Sequence, residues 1–126
     1  MSRTLKPATC VVWVGFSPVC LGRILGNDGE PITQATISSI NRKIYRLDGT
    51  LISSAAVTVA DAVSNTLITN DPRWTLDDEG RNFVDQPPVS NFASPNTAYF
   101  ILYTFTPVSG EIFPGTFRTS TLPIPS

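Results

Sequence analysis

Short segments rich in β-branched and aromatic residues alternate along this chain with clusters of glycine, proline, asparagine and aspartate. This alternation is typical of strands joined by tight turns. The clearest strand is predicted at residues 97–106, where large apolar side chains occupy both alternating faces. A strand covered on both faces indicates the core of a β-sandwich.

Other segments show the same pattern over shorter lengths. Further strands are predicted at residues 10–14, 19–25, 41–47, 51–53, 81–84 and 111–118. The Asp48–Gly49 pair is a strong hairpin signal between two of them, because it suits a turn with positive φ. Pro114 lacks a backbone N–H, so the last strand should lie at a sheet edge or contain a bulge. Residues 31–39 are expected to form a loop that enters a strand.

One segment has helical rather than strand spacing. Val59, Val63 and Leu67 fall four residues apart, and Thr58 can cap the helix with Asp61 in a capping-box position. The pattern predicts one short helix here, although a strand beginning one residue before Thr58 is the competing interpretation.

Two further stretches are predicted as loops. Residues 70–81 form a polar loop held by Trp74, and the three prolines within residues 85–96 exclude a central strand. The chain is thus expected to be mostly β, a small single-domain β-sandwich or barrel-like fold with one short helix. We divide it into an N-terminal arm at residues 1–9, a β-rich domain at residues 10–118 and an extended C-terminal tail at residues 119–126.

Composition and charge narrow the possible functions of the 126 residues. Nine basic and ten acidic side chains give a net charge of −1, which argues against nucleic acid as a partner. No apolar run is long enough to span a membrane, and the broken apolar stretch near the N-terminus argues against a signal peptide. The two cysteines, Cys10 and Cys20, are expected to be buried, while a disulfide between them stays open.

Catalytic chemistry has little support in the sequence. The chain has no histidine, so it lacks the usual general base and any structural zinc site built on histidine. Asp77, Asp78, Glu79 and Asp85 form the densest group of carboxylates, but an acidic turn before a glycine also describes a solvated loop. Their spacing does not match a helix-loop-helix calcium site. We therefore expect no enzymatic activity, no metal and no cofactor.

Four segments carry a resemblance to a known group of proteins. They are TLITNDPRWTLDDEGRNF at residues 66–83, YFILYTFTPVSGEIFPGTF at residues 99–117, GRILGNDGEPITQATISSI at residues 22–40 and the YRLDG hairpin at residues 45–49. Together they cover most of residues 20–120. This pattern resembles small β-rich virion structural proteins of tailed bacteriophages, including cyanophages.

The resemblance implies a virion component without a catalytic motif. Within that class the expected role is a capsid cement or decoration protein on the capsid exterior, made in the host cytoplasm, that clamps the major capsid protein. A homo-oligomer, either a dimer or a trimer, would multiply weak contacts with the shell. Hydrophobic residues of the arms and aromatics of the body are the candidate partner-binding residues: Leu5, Trp13, Phe16, Phe92, Leu122 and Ile124. Burial in the core is the alternative for the aromatic ones.

Two alternative functions stay open. The first is a neck or tail component, which differs from a cement protein in its copy number per virion. The second is a carbohydrate-binding β-sandwich, in which exposed Trp13 or Trp74 would stack on sugars.

Overall fold

The computed structural model of the chain describes residues 4–7, 10–13, 18–26, 29–94 and 96–122; for the first two of these segments, for Val89 and for Leu122 it describes the backbone alone. Within these ranges the elements are β1 (Thr4–Pro7), β2 (Cys10–Trp13), β3 (Cys20–Leu25), β4 (Ile37–Arg46), β5 (Leu51–Val57), α1 (Val59–Ala62), β6 (Val63–Ile68), β7 (Arg81–Asp85), β8 (Ala98–Pro107) and β9 (Phe113–Leu122). Short 3-10 turns lie at Gln34–Thr36 and Val89–Phe92.

The strands form two sheets. The first has four strands in the order β1-β3-β7-β6, and the second has five in the order β2-β9-β8-β4-β5. Neighbours are antiparallel except β2 and β9, which run parallel. The chain is therefore a small, mostly β single domain with one short helix, as the sequence predicted, and its architecture is that of a β-sandwich.

Alternation along β8 explains why the two sheets stack. Tyr99, Ile101, Tyr103 and Phe105 are buried, while the residues between them are half-buried on the opposite face. Phe83 from the four-stranded sheet meets the ring of Tyr103 edge-on, with centroids 4.9 Å apart. Edge-to-face aromatic contacts of this kind add to the free energy gained from burial. The core is thus an aromatic layer between the sheets.

The predicted hairpin between β4 and β5 is confirmed. Gly49 has a φ of 92°, which a side chain would strain, and its N–H donates to the carbonyl of Arg46 at 3.0 Å. The Asp48 carboxylate accepts the backbone N–H of Thr50 at 2.9 Å. The return strand β5 is longer than predicted, since it runs to Val57 rather than to residue 53.

The predicted helix exists but is only one turn long. α1 begins after Thr58, as predicted, and ends at Ala62, but the Thr58 side chain makes no capping hydrogen bond, so the predicted cap is wrong. Val63 and Leu67, which matched helical spacing, instead lie in β6, where Val63 pairs with Phe83 of β7. The pairing partner in β7 outweighs the local helical spacing, because a short helix depends on tertiary packing for its stability.

Both predicted arms contribute strands to the sheets. β1 lies inside residues 1–9 and pairs with β3, with Leu5 opposite Ile24. β9 continues through residues 119–122, and Thr119 and Thr121 are buried. Neither segment has apolar periodicity, but backbone pairing between strands does not require it. The strands therefore extend beyond residues 10–118, the predicted bounds of the β-rich domain.

The position of Pro114 agrees with its missing N–H. It pairs with Thr104 of β8, whereas the parallel pairing of β9 with β2 begins only at Thr119. At Pro114, β9 therefore has a described strand on one side only, which is the edge-like setting the sequence predicted. No described helix is long and apolar enough to cross a membrane.

Candidate docking surface and buried polar clusters

A polar cluster ties the two sheets together inside the sandwich. The Asp85 carboxylate at the end of β7 accepts a hydrogen bond from the Tyr103 hydroxyl at 2.6 Å and from Arg42 Nη1 at 2.7 Å. Burial is the main cause that raises the pKa of Tyr103, and the thiol of the buried Cys20 is a further hydrogen-bond partner of its hydroxyl. Tyr103 therefore stays neutral, and the cluster acts as a structural tie between the sheets.

The acidic loop before β7 is held by arginine. Asp77 Oδ1 accepts hydrogen bonds from Arg23 Nη1 at 2.8 Å and from the indole N–H of Trp74 at 3.1 Å. The hydrogen bond with Asp77 raises the pKa of Arg23, whose other terminal nitrogen lies 2.9 Å from the exposed Glu79. Trp74 is buried, as predicted, and Asp77 and Glu79 serve as counter-charges for Arg23.

A second ionic cluster closes the start of the same loop. The buried carboxylate of Asp71 accepts hydrogen bonds from Arg73 Nη2 at 2.7 Å and from Arg81 Nε at 2.8 Å. The hydrogen bond from Arg73 is the largest cause that lowers the pKa of Asp71 far below its ordinary value. Asp71 thus stays ionised and fixes the loop against the first residue of β7.

The carboxylates of these clusters do not form a metal site. Among the residues that the structure describes, no group of three or more His, Cys, Asp or Glu side chains could hold a metal ion. Asp85 and Asp77, which the sequence placed in one acidic group, are held by different arginines, Arg42 and Arg23.

A shallow cleft opens at one end of the sandwich, between residues 26–37 and the turn after β8. Its volume is about 480 Å³, and Ile32, Ile37 and Phe113 supply its apolar lining. Among the described residues that line it, Glu30 is the one with an acidic side chain, and Thr36 and Ser109 supply hydroxyl groups. The cleft therefore combines apolar surface with a few polar groups.

Phe92 is not available to a partner. Its side chain is 0% exposed, and its ring meets that of Tyr99 edge-on with centroids 5.1 Å apart. The prediction that Phe92 binds a partner is wrong, because the 3-10 turn at Val89–Phe92 carries the ring into the core. The alternative that the sequence left open, burial in the core, is the one observed.

The structure does not test the remaining predicted binding residues. Leu5 and Trp13 lie in β1 and β2, and Leu122 ends β9, but their side chains fall outside the description. Phe16 and Ile124 lie outside the described residues altogether. These five positions stay predictions.

β5 is an outer edge of the five-stranded sheet. β4 pairs along one side of it, and no strand of the described ranges pairs along the other. The seven residues of β5, LISSAAV, contain neither a charged side chain nor a proline. Unpaired backbone groups on such an edge can bond to another extended chain. This edge was not predicted, because the sequence pattern indicated a strand only at residues 51–53.

The outer face of the same sheet is apolar at the Leu51 end of β5, whereas Lys43 lies opposite Ser54 farther along. Leu51, which is 51% exposed, lies opposite Tyr45, and Tyr45 lies opposite Phe100 on the next strand. The guanidinium of Arg118 lies over the Phe100 ring, 4.6 Å from its centroid. We call Leu51, Tyr45 and Phe100 the outer-face row. It forms a strip of apolar surface that begins at the open edge.

The geometry defines a β-sandwich domain with one open, uncharged sheet edge. No protein-family model matches the chain, and no curated protein matches it. Among solved structures, CopC from Methylosinus trichosporium OB3b shares the fold with a TM-score of 0.54 and 15% sequence identity. The similarity covers 99% of this chain and 98% of that one. At such low identity the likeness shows the fold alone.

The comparison corrects the function expected from the sequence. The chain shares its fold with CopC along nearly its whole length, and nothing found ties it to a phage capsid, so the capsid cement function is wrong. The neck or tail alternative rested on the same resemblance and loses its support. The carbohydrate-binding alternative relied partly on Trp74, which is buried against the protein. The resemblance to phage structural proteins stays a prediction that no family model tests.

Proposed function

We propose that this chain is a non-catalytic docking module that binds other protein chains by strand addition at β5. The observation that carries the proposal is that β5 is a seven-residue, uncharged edge strand with a described neighbour on one side only. In strand addition the backbone hydrogen bonds supply affinity, while the side chains beside the edge supply selectivity.

A comparison of the four described edge strands favours β5. β1 has four residues and ends in Lys6 and Pro7, both of which discourage pairing at an edge. β2 also has only four residues. β6 pairs with β7 irregularly, since its register shifts between Val63 and Ile68, whereas β5 pairs regularly with β4 from Ser53 to Val57 and shifts register only towards Leu51. β5 is the longest of these edges.

Side chains beside the edge would gain burial from a partner strand. Ile52 and Val57 are only partly buried, although both pack against the core. Leu51 begins the outer-face row, so a partner along β5 would also cover part of that strip. Burial of apolar area stabilises association by about 25 cal/mol per Å² before entropic costs. The edge and the row together form one continuous docking surface.

A non-catalytic role agrees with the chemistry of the chain. The sequence has no histidine, and the buried carboxylate of Asp71 and the partly buried carboxylate of Asp85 are each held by arginine. Tyr103, the buried hydroxyl beside Asp85, has a raised pKa and stays protonated. These groups hold the sandwich rigid, and a rigid edge loses less conformational entropy when a partner strand adds to it.

The test uses an unrelated strand-forming peptide, a capped alternation of threonine and valine, because strand addition depends mainly on the backbone. We expect titration of the ¹⁵N-labelled full chain to shift the amide resonances of β5 and Tyr45. Ser54→Lys, which places a charge on the exposed face of β5, should weaken the shifts. Thr116→Lys, at an exposed position on β9, is the matched control and should leave them unchanged. Absence of shifts in β5 would refute the proposal.

A further inference from the structure

We infer that the strand added at β5 is β5 of a second copy of this chain, paired antiparallel about a twofold axis at Ala55. This inference rests on the proposed docking role of β5 and names its partner. An isologous contact requires a surface that is complementary to itself. β5 meets that requirement because its residues carry no charge, so self-pairing sets no like charges opposite each other.

The pairing with β4 fixes which face each residue of β5 occupies. Ala55 and Val57 lie opposite Arg42 and Ile40, which are buried, so they face the core side of the sheet. Ser54 and Ala56 are exposed on the outer face. Only registers that keep these faces aligned let a second copy continue both sides of the sheet.

A dyad at Ala55 satisfies this condition over the regular part of β5. It sets Ala55 opposite itself, Ser54 opposite Ala56 of the second copy, and Ser53 opposite Val57. The ladder stops at Ile52, where the pairing of β4 with β5 shifts register between Ile44 and Tyr45. Side chains at the dyad are small, so the two backbones can approach to the ordinary strand spacing of about 4.8 Å.

The same register would cover an apolar side chain at the open edge. Val57 packs against the core but is only partly buried. In the pair, Val57 of one copy lies opposite Ser53 of the second copy, which covers part of its exposed surface. The net charge of −1 leaves little long-range repulsion between copies. The five-stranded sheets of the two copies become one continuous sheet.

Sedimentation equilibrium of the full chain tests self-association. Because a single strand contact buries less area than a standard interface, we expect a weak dimer that forms between roughly 10 µM and 1 mM. Ser54→Lys should raise the dissociation constant about tenfold, since two cations then lie diagonally across the dyad. Thr116→Lys is the matched control and should leave the constant unchanged.

Opposite charges at residues that face each other in the proposed register should restore dimer formation. Ser54 lies opposite Ala56 of the second copy, so mixing Ser54→Lys with Ala56→Glu chains should restore a dimer that contains one of each. Mixing Ser54→Lys with Thr116→Glu should restore none. Both substituted positions of β5 are exposed, and the thermal unfolding of each variant verifies that it folds.

Disulfide cross-linking at the dyad tests the proposed register directly. Residues opposite each other in antiparallel strands have Cα atoms about 4.5 to 5.5 Å apart, within the range of a disulfide. On oxidation, Ala55→Cys should therefore give a higher yield of covalent dimer than the native chain. It should also give a higher yield than Ser109→Cys, which lies in the exposed turn after β8. Equal yields from the three proteins would overturn the inference.

The two proposals fail in different ways. If the chain stays monomeric at every concentration while the threonine–valine peptide still shifts β5, self-pairing is refuted and the docking role survives. If the chain dimerises but Ser54→Lys has no effect, the contact lies elsewhere and self-pairing is again refuted. If the chain stays monomeric and the peptide also fails to shift β5, both proposals are wrong.

Discussion

Asp71→Asn tests the ionic cluster that fixes the loop before β7. The substitution keeps the size of the side chain and one acceptor oxygen but removes its charge. Asp71 Oδ2 accepts hydrogen bonds from Arg81 Nε at 2.8 Å and Arg73 Nη2 at 2.7 Å. Arg81 also has Nη1 buried without a hydrogen-bond partner, so its charge relies strongly on Asp71. Loss of the carboxylate would leave a buried guanidinium without its counter-charge.

The two arginines should contribute unequally to stability. Arg73 is the larger cause of the lowered pKa of Asp71, but its side chain is 51% exposed, so solvent screens the pair and it contributes about 0 to 1 kcal/mol. The Arg81 side chain is only 10% exposed, and breaking a buried pair by removing one partner costs about 3 kcal/mol or more. We expect Asp71→Asn to lower the free energy of unfolding by about 3 kcal/mol and the Tm by roughly 10 °C.

The contribution of Asp71 to the free energy of unfolding should depend on pH in a defined direction. The pKa of Asp71 is lower in the folded chain than in the unfolded chain, so the pair contributes fully above the unfolded value, near pH 4. Its contribution declines as the pH falls from about 4 toward the folded pKa. Urea unfolding at pH 7, 5 and 3 should therefore show a gap between the native chain and Asp71→Asn that is constant from pH 7 to 5 and narrower at pH 3.

Arg73→Gln is the matched control for the exposed half of the cluster. We expect this substitution to lower the free energy of unfolding by less than about 1 kcal/mol, because the guanidinium of Arg73 is partly solvated in the native chain. A gap between the native chain and Asp71→Asn that is the same at pH 3 as at pH 7 would refute the electrostatic reasoning. So would a cost for Arg73→Gln equal to that for Asp71→Asn.

Two further changes test other parts of the sandwich by thermal unfolding. Gly80→Ala should cost roughly 2 to 4 kcal/mol, because Gly80 has a φ of 93° and an added Cβ would lie 2.5 Å from the carbonyl oxygen of Ile68. Gly49→Ala has the same backbone strain but open space, so an equal loss at both glycines would refute the clash. Tyr103→Phe should cost about 2 kcal/mol through the lost hydrogen bond to Asp85, and an unchanged Tm would show that the tie is not stabilising.

Much of the fold could be predicted because local signals and tertiary partners agree. Asp48 and Gly49 specify a hairpin through their own backbone preferences, and the apolar residues of β8 predict a strand. The expectation that both faces of this strand are covered is only half right, because the face that carries Phe100 is half-buried on the outside of the sheet. The prediction of a longer helix after Thr58 failed because local signal and tertiary partner disagree. Val63 and Leu67 match helical spacing, but β7 lies alongside them and pairing with it decides their conformation. No local pattern contains that information.

The candidate site was harder to predict than the fold. Whether a strand is an edge depends on strand order, which no local sequence pattern specifies. β5 is an edge because no described strand pairs along the side that faces away from β4. The one local signal was the absence of charge and proline from residues 51–57. Phe92 shows the reverse error, since an aromatic residue in a proline-rich loop suggested exposure but packs on Tyr99.

The buried tie and the open edge are connected through β4. Arg42 reaches across to Asp85 in the opposite sheet, lies beside Tyr103 in β8, and pairs with Ala55 in β5. The inter-sheet tie therefore holds the one strand against which β5 is aligned. A change that loosens Arg42 should disturb β5 before the remainder of the five-stranded sheet, because β5 has no second strand to hold it. We therefore expect the polar cluster in the core to support the edge at which a partner strand would add.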